Sequence, residues 1–230
     1  MRLIHVCFVS ALMTFLIGTA LPSHAEMYIG GQLGLSLPSS LSNVQGTGTD
    51  SGLKGTDLDL ANSPLYGAKI GYFFPRMNWL GVEGEFFYSN PHMKQQEQTV
   101  SGSKSLPGLG TIPCGSPILP CGSREVSGAH VRMAVGAINL IARYPGKRFQ
   151  PYVGAGFGMY FARISNSAIT ASDTSPGFNL LAGSRFFLTK HLALFGEYKY
   201  NRSSFDFGNN VLFKADYSAH NLVAGVSVHF

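Results

Sequence analysis

Leu222-Val-Ala-Gly-Val-Ser-Val-His-Phe230 decides the fold. Taken alternately, it sets Leu222, Ala224, Val226, Val228 and Phe230 on one face and Val223, Gly225, Ser227 and His229 on the other, because successive strand side chains point to opposite sides. A strand tilted across a bilayer needs about 9–11 residues, with one apolar face and a second face free to be polar or small. The stretch fits that requirement and reads as a membrane strand. The sequence ends with it, on an aromatic residue, which is the pattern presented to the outer-membrane assembly machinery. Phe230 is therefore expected to act as the assembly signal, and the outer membrane of a Gram-negative bacterium is the expected location.

The opposite end agrees. Met1–Ala25 starts with Arg2, continues with an apolar stretch from Leu3 to Leu21 and closes on Ser23-His24-Ala25, with small residues where a signal peptidase reads. Residues 1–25 are expected to form a cleaved signal peptide and 26–230 a single barrel domain. The apolar run approaches the length of a membrane-spanning helix, but it ends in a cleavage site and no later segment is helically apolar. Cys7 leaves with the signal. Glu26, not a cysteine, follows Ala25, so a lipoprotein is not expected.

The whole chain has 17 basic and 12 acidic residues, and loss of Arg2 leaves 16 against 12, a mildly basic mature protein of net charge +4. Charged residues make up only 13%, yet apolar ones are spread in alternation rather than gathered in blocks, which is the period of strands. The 28 glycines and 12% aromatic residues point the same way, since barrels place glycine where walls crowd and aromatics at the two membrane interfaces. Cys114 and Cys121 stand in Ile112-Pro-Cys-Gly-Ser-Pro-Ile-Leu-Pro-Cys-Gly122. An oxidising compartment favours a disulfide between them, and no His or acidic residue lies between them to suggest a metal. Closing so short a loop removes roughly 2.5 kcal/mol of denatured-chain entropy.

Eight alternating segments follow the signal. The first, 27–37, directs Ile29, Leu33 and Leu35 to lipid and Gln32 and Ser36 inward. The second, 64–74, sets Tyr66, Ile70 and Tyr72 outward and Lys69 inward. The third, 79–89, places Glu83 and Glu85 on the lumenal face. The fourth, 127–144, carries Val131, Met133 and Val135 on one face and Arg132 on the other, and Arg132 is assigned to the lumen. Its later parity is left open near Gly136, where a bulge could change the register. In the fifth, 150–164, Val153, Phe157 and Phe161 alternate with Gly154, Gly156 and Gly158. These glycines resemble a dinucleotide fingerprint only faintly, because Met159 stands where a third spaced glycine is needed and no βαβ unit surrounds them. The sixth, 177–188, turns Asn179 and Arg185 inward. The seventh, 191–202, turns Glu197 and Lys199 inward, and the eighth, 217–230, ends the chain.

Three connections are short, near residues 75, 146 and 189, and four are longer, at 38–63, 90–126, 165–176 and 203–216. Outer-membrane barrels put short turns in the periplasm and long loops outside, so the cysteine pair belongs to the longest external loop. The fold class expected is an all-β, eight-stranded antiparallel transmembrane β-barrel.

Tyr28-Ile-Gly-Gly-Gln-Leu-Gly34, Pro151-Tyr-Val-Gly-Ala-Gly-Phe-Gly158, Phe195-Gly-Glu-Tyr-Lys-Tyr200 and the terminal Phe230 give the chain its likeness to a known group. It resembles the small eight-stranded outer-membrane barrels, which include the OmpA transmembrane domain, the OmpX and Ail group and opacity-type surface proteins. The resemblance implies an architecture more than an activity, since members range from adhesins to complement-evasion factors. Anchoring to peptidoglycan through an OmpA-type domain is not expected.

For function, the lumenal charges Lys69, Glu83, Glu85, Arg132, Arg185, Glu197 and Lys199 are expected to pair inside a barrel too narrow for much beyond its own side chains. A closed polar lumen is favoured over a small gated porin for ions or small solutes. Arg163, Arg202 and Lys214 lie at strand ends where lipopolysaccharide phosphates are expected. The loops, rich in Gly, Ser, Thr, Asn and Gln, suit a surface ligand. Ser218 and His220 stand two apart, as in an acyl hydrolase, but the adjoining strand Glu197-Tyr-Lys-Tyr-Asn201 lacks the nucleophile and base of the lipid A deacylase pattern, and catalysis is not expected. Neither are a cofactor, a metal or a nucleic-acid partner, since basic residues form no stripe with interleaved aromatics. The expectation is a monomeric, non-enzymatic barrel contributing to envelope integrity or surface interaction through its external loops, with outer-membrane lipid, lipopolysaccharide and the assembly machinery as partners.

Overall fold

The computed structural model describes residues 26–106, 110–126, 128–165, 170–207 and 213–230; the expected signal peptide lies outside them. In chain order the strands are β1 (Glu26–Pro38), β2 (Ser42–Gly46), β3 (Leu53–Gly55), β4 (Ser63–Phe74), β5 (Met77–Ser89), β6 (His92–Met93), β7 (Gln96–Leu106), β8 (Gly110–Pro113), β9 (Ser123–Val126), β10 (Ala129–Arg143), β11 (Phe149–Ser165), β12 (Thr170–Phe187), β13 (Leu192–Asp206) and β14 (Phe213–His229).

The long strands β1, β4, β5, β10, β11, β12, β13 and β14 pair with their neighbours in that order, and β1 pairs back onto β14. All of these pairings are antiparallel, and the seam runs from Tyr28↔His229 to Pro38↔Ala219. The result is a closed eight-stranded barrel. Closure removes the free edge whose unpaired N–H and C=O groups no lipid can satisfy.

Alternation sorts the wall. Phe157 is 80% exposed, Ile138 72% and Leu33 70%, values that would be costly in water and are natural against acyl chains. Toward the periplasm the wall ends in exposed Trp79, Tyr144, Phe149 and Phe230, the aromatic girdle of a membrane interface.

One open point of register is settled and two expectations about strand extent are corrected. The pairing of β10 with β5 and β11 runs without a shift through Gly136, so there is no bulge there. Residues read as the third and fourth external loops are largely strand: β11 and β12 pair out to Ser165↔Thr170, and β13 and β14 out to Asp206↔Lys214. The first two external connections also fold. β2 pairs with the outer end of β14 and with β3, β3 pairs with β7, and β7 with β8 and β9, so that a sheet projects from the barrel rim.

Inside, the extracellular half holds an apolar core. Leu41, Leu58, Leu60 and Met93 from the external connections pack with Leu65, Phe87, Val131, Met133, Val135, Tyr160, Phe205 and Tyr217. A smaller cluster, Tyr28, Phe73, Ile141, Tyr152 and Leu181, occupies the periplasmic half.

Candidate functional site: the filled lumen and the external rim

The inward face that strand pleating creates gathers charge from four strands. Lys69 (β4), Glu83 and Glu85 (β5), Arg185 (β12), and Glu197 and Lys199 (β13) are all buried. Lys69 bridges Glu197 and, at 3.4 Å, Glu83. Lys199 bridges Glu85 and, at 3.2 Å, Glu197, and donates to Gln32 Oε1 at 3.0 Å. Arg185 Nη2 lies 3.6 Å from Glu83 Oε2, and its guanidinium carbon sits 3.9 Å from the Tyr28 ring centre and 4.7 Å from that of Tyr152. Aromatic faces thus supply part of what water gave this cation. The hydroxyls of Tyr28 and Tyr152 donate to Glu83 and Glu197, each at 2.5 Å.

Arg132 does not belong to this set. It is exposed on the outer wall, and its neighbours Val131 and Met133 point inward. Above the ionic layer the lumen turns apolar while the outside meets headgroups and water, so the apolar face of β10 switches from lipid side to lumen without any change of register. Without Arg132 the ionic layer contains three cations, Lys69, Arg185 and Lys199, and three carboxylates, Glu83, Glu85 and Glu197. Its net charge is zero. That balance matters because each buried ion costs several kcal/mol unless partnered.

Two further polar layers are not in the sequence reading. An amide ladder crosses the lumen: Asn179 donates to Asn139 Oδ1 at 2.9 Å, Asn201 to Asn179 Oδ1 at 2.9 Å and Asn221 to Asn201 Oδ1 at 2.5 Å. Gly156 lies between Asn139 and Asn179 in the register and leaves room for their contact; a Cβ there would stand 2.3 Å from Asn139 Oδ1. At the periplasmic mouth, Arg143 donates to both carboxylate oxygens of Glu26, at 2.7 and 2.5 Å, and the His229 ring lies 2.8 Å from Glu26 Oε1. Alternation along β10 puts Arg143 on the inward face with Ile141.

At the outer rim the residues expected to face lipopolysaccharide differ in kind. Arg202 pairs with Asp216 at 3.5 Å and Lys214 with Asp206 at 3.0 Å, whereas Arg163 stands across from Arg132. Asp216 also accepts from Ser204 Oγ and Asn43 Nδ2, and these hydrogen bonds hold its carboxyl below the usual carboxylate range. Cys114 and Cys121 are disulfide-bonded, with Cα atoms 5.0 Å apart, at the end of the β7–β8 hairpin. His220 Nδ1 is 2.6 Å from the Tyr198 hydroxyl and its ring packs 5.2 Å from that of Tyr200. Ser218 lies across the strand pair from Arg202.

Residues 8–230 match the family described as Outer membrane protein beta-barrel domain. The chain belongs to that family. Its place is the bacterial outer membrane. Among solved structures, this outer-membrane barrel is similar to Neisserial surface protein A, with 17% identity over 89% of this chain and 97% of that one and a TM-score of 0.53. Ail of Yersinia pestis is 14% identical over 90% of this chain and 99% of its own, with a TM-score of 0.49. OprG of Pseudomonas aeruginosa is 14% identical over 90% and 96%, also with a TM-score of 0.49. At such identities the likeness concerns the fold alone. No curated protein matches the barrel in sequence.

Proposed function

We propose that this outer-membrane barrel is non-catalytic and does not conduct, and that it contributes to envelope integrity or surface interaction through the sheet projecting from its outer rim. The observation that carries this reading is the charge-balanced ionic layer: six buried side chains linked across the lumen, with the amide ladder and an apolar core above them. Eight strands enclose an interior only wide enough for side chains to fill, and here side chains fill it. The absence of catalysis is supported by Ser218 and His220, for which the described residues show no hydrogen bond to each other, while the His220 ring nitrogen is engaged by Tyr198. Lipopolysaccharide, the assembly machinery reading Phe230, and a surface ligand on the external sheet are the partners this role calls for, with the barrel acting as a monomer.

Single-channel recording of the refolded mature protein in lipopolysaccharide-containing bilayers tests the reading. Native protein and a Glu197→Gln/Lys199→Met variant should both be silent. Steady current in the native protein, altered by the variant, would overturn the closed lumen in favour of a small gated porin.

A further inference from the structure

Arg132 of β10 and Arg163 of β11 are direct cross-strand partners, and both are exposed on the outer wall. Opposed residues in an antiparallel pair have Cβ atoms about 4.5–5.5 Å apart, and like charges there destabilise the pairing. The described surroundings offer no relief. Beyond Arg163 the same row continues into Ser172 of β12. Asp173 next to it has the inward parity, across from buried Ala162, and its Oδ2 already accepts from Ser175 Oγ at 3.0 Å and the Asp206 backbone N–H at 2.8 Å. On the other flank of β10, Val131 N donates to the Pro91 carbonyl and His130 packs edge-on against His92 at 4.9 Å. Among the described residues neither arginine has an ion-pair partner, whereas Arg202, Lys214 and Lys104 each have an acid within 3.5 Å.

The height of the pair narrows what can neutralise it. The row just below is Tyr88, Ala134 and Phe161, with Phe161 still 47% exposed on the lipid side. From Val153, low on the lipid-facing wall, to Arg163 is about 33 Å of strand, or about 25 Å along the membrane normal at a tilt of about 40°, the full height of an apolar band. The two guanidiniums therefore stand at headgroup depth, over an aromatic and aliphatic wall. A ligand that meets both features has an anionic group above and an acyl body below.

We infer that Arg132 and Arg163 form a binding site for a phosphate group of an outer-leaflet glycolipid, the phosphate bridging the two guanidiniums. Arginine's planar fork suits phosphate oxygens, and the shared anion converts a repulsive cross-strand pair into an attractive one. Ser172 supplies a hydroxyl on the same row. The site rests on the membrane orientation in the reading above but not on the closed lumen.

The test uses the refolded mature barrel in zwitterionic detergent, titrated with phosphorylated lipid A, with dephosphorylated lipid A and with inorganic phosphate, and read by native mass spectrometry. Native protein should hold phosphorylated lipid A about tenfold more tightly than Arg132→Gln/Arg163→Gln, as expected for loss of charge-assisted hydrogen bonds. Arg202→Gln, whose arginine is already paired with Asp216, should bind like the native protein. Heat-modifiable migration on gels confirms that each variant is folded. Equal binding by the double variant and the native protein, an equal loss in Arg202→Gln, or equal binding of dephosphorylated lipid A would overturn the site. Competition by millimolar inorganic phosphate that matches the lipid's own affinity would overturn the lipid as its source. A barrel that conducted current yet kept this selectivity would remove the closed lumen and leave the site standing.

Discussion

Replacing Lys199 by Met removes one cation from a layer of three cations and three carboxylates, leaving Glu85 and Glu197 to share Lys69 and Arg185 across the lumen. Lys199 is fully buried and touches both acids. Breaking a buried pair by deleting one partner costs about 3–5 kcal/mol, because the remaining charge stays desolvated. Glu85→Gln alone keeps the side-chain shape, but it replaces one of the two oxygens that accept from Gln32 Nε2 and Asn139 Nδ2 by a donor and leaves Lys199 with Glu197 as its one carboxylate, so it should cost a similar amount. The double variant Lys199→Met/Glu85→Gln returns the layer to two cations and two carboxylates. It should lose less than either single variant, giving a coupling energy of about 2–3 kcal/mol in a double-mutant cycle. Equilibrium urea unfolding in vesicles provides the assay. Trp79 is the chain's one tryptophan and sits half-exposed at the periplasmic girdle, so its fluorescence reports barrel insertion without a label. Strictly additive losses in the double variant would refute the argument that charge balance, rather than packing volume, holds this layer together.

Gly156→Ala and Gly136→Ala should behave oppositely: a Cβ at Gly156 would meet the Ile138 carbonyl oxygen at 2.2 Å and displace Asn139, whereas one at Gly136 meets nothing within 4 Å. The same urea assay should show at least about 2 kcal/mol lost for the first, as for an overpacked interior, and almost no change for the second. Reduction of Cys114–Cys121 should loosen the β7–β8 hairpin by up to about 2.5 kcal/mol and leave the barrel midpoint unchanged, read by limited proteolysis beside heat-modifiable migration; a shifted barrel midpoint would contradict a purely local role.

The membrane-spanning part of the fold is legible in the sequence because lipid imposes one rule on every strand: apolar residues outward, anything that fits inward. That rule locates Lys69, Glu83, Glu85, Arg185, Glu197 and Lys199 on the lumenal side, where the structure has them. Above the membrane the rule reverses. The interior becomes a protein core of Val131, Met133 and Val135 and the exterior meets polar headgroups, so hydrophobicity marks the inside instead. Reading Arg132 as lumenal applied the membrane rule one turn of environment too far. The same reversal concealed the outer ends of β12 and β13, residues 170–176 and 203–206, whose Thr, Ser and Asp content looks like loop to a rule calibrated on lipid. The amide ladder was hidden for another reason: Asn139, Asn201 and Asn221 are neither charged nor apolar, and only the three-dimensional stagger of the strands brings them into one file.

Moving Arg132 outward changes two places in the molecule together. In the lumen it turns an excess of one positive charge into an even count, which a desolvated interior requires. On the outer wall it creates a positive pair that the described protein does not neutralise. With no acid among the described residues beside it, the pair must look to its surroundings for an anion, and the leaflet at that height is rich in phosphate. The neighbouring basic residues Arg202 and Lys214 face the same leaflet but carry their own acids across β13 and β14. The difference between the two sides of the rim therefore lies in pairing, not in the number of basic residues, and counting basic residues along the sequence cannot reveal it.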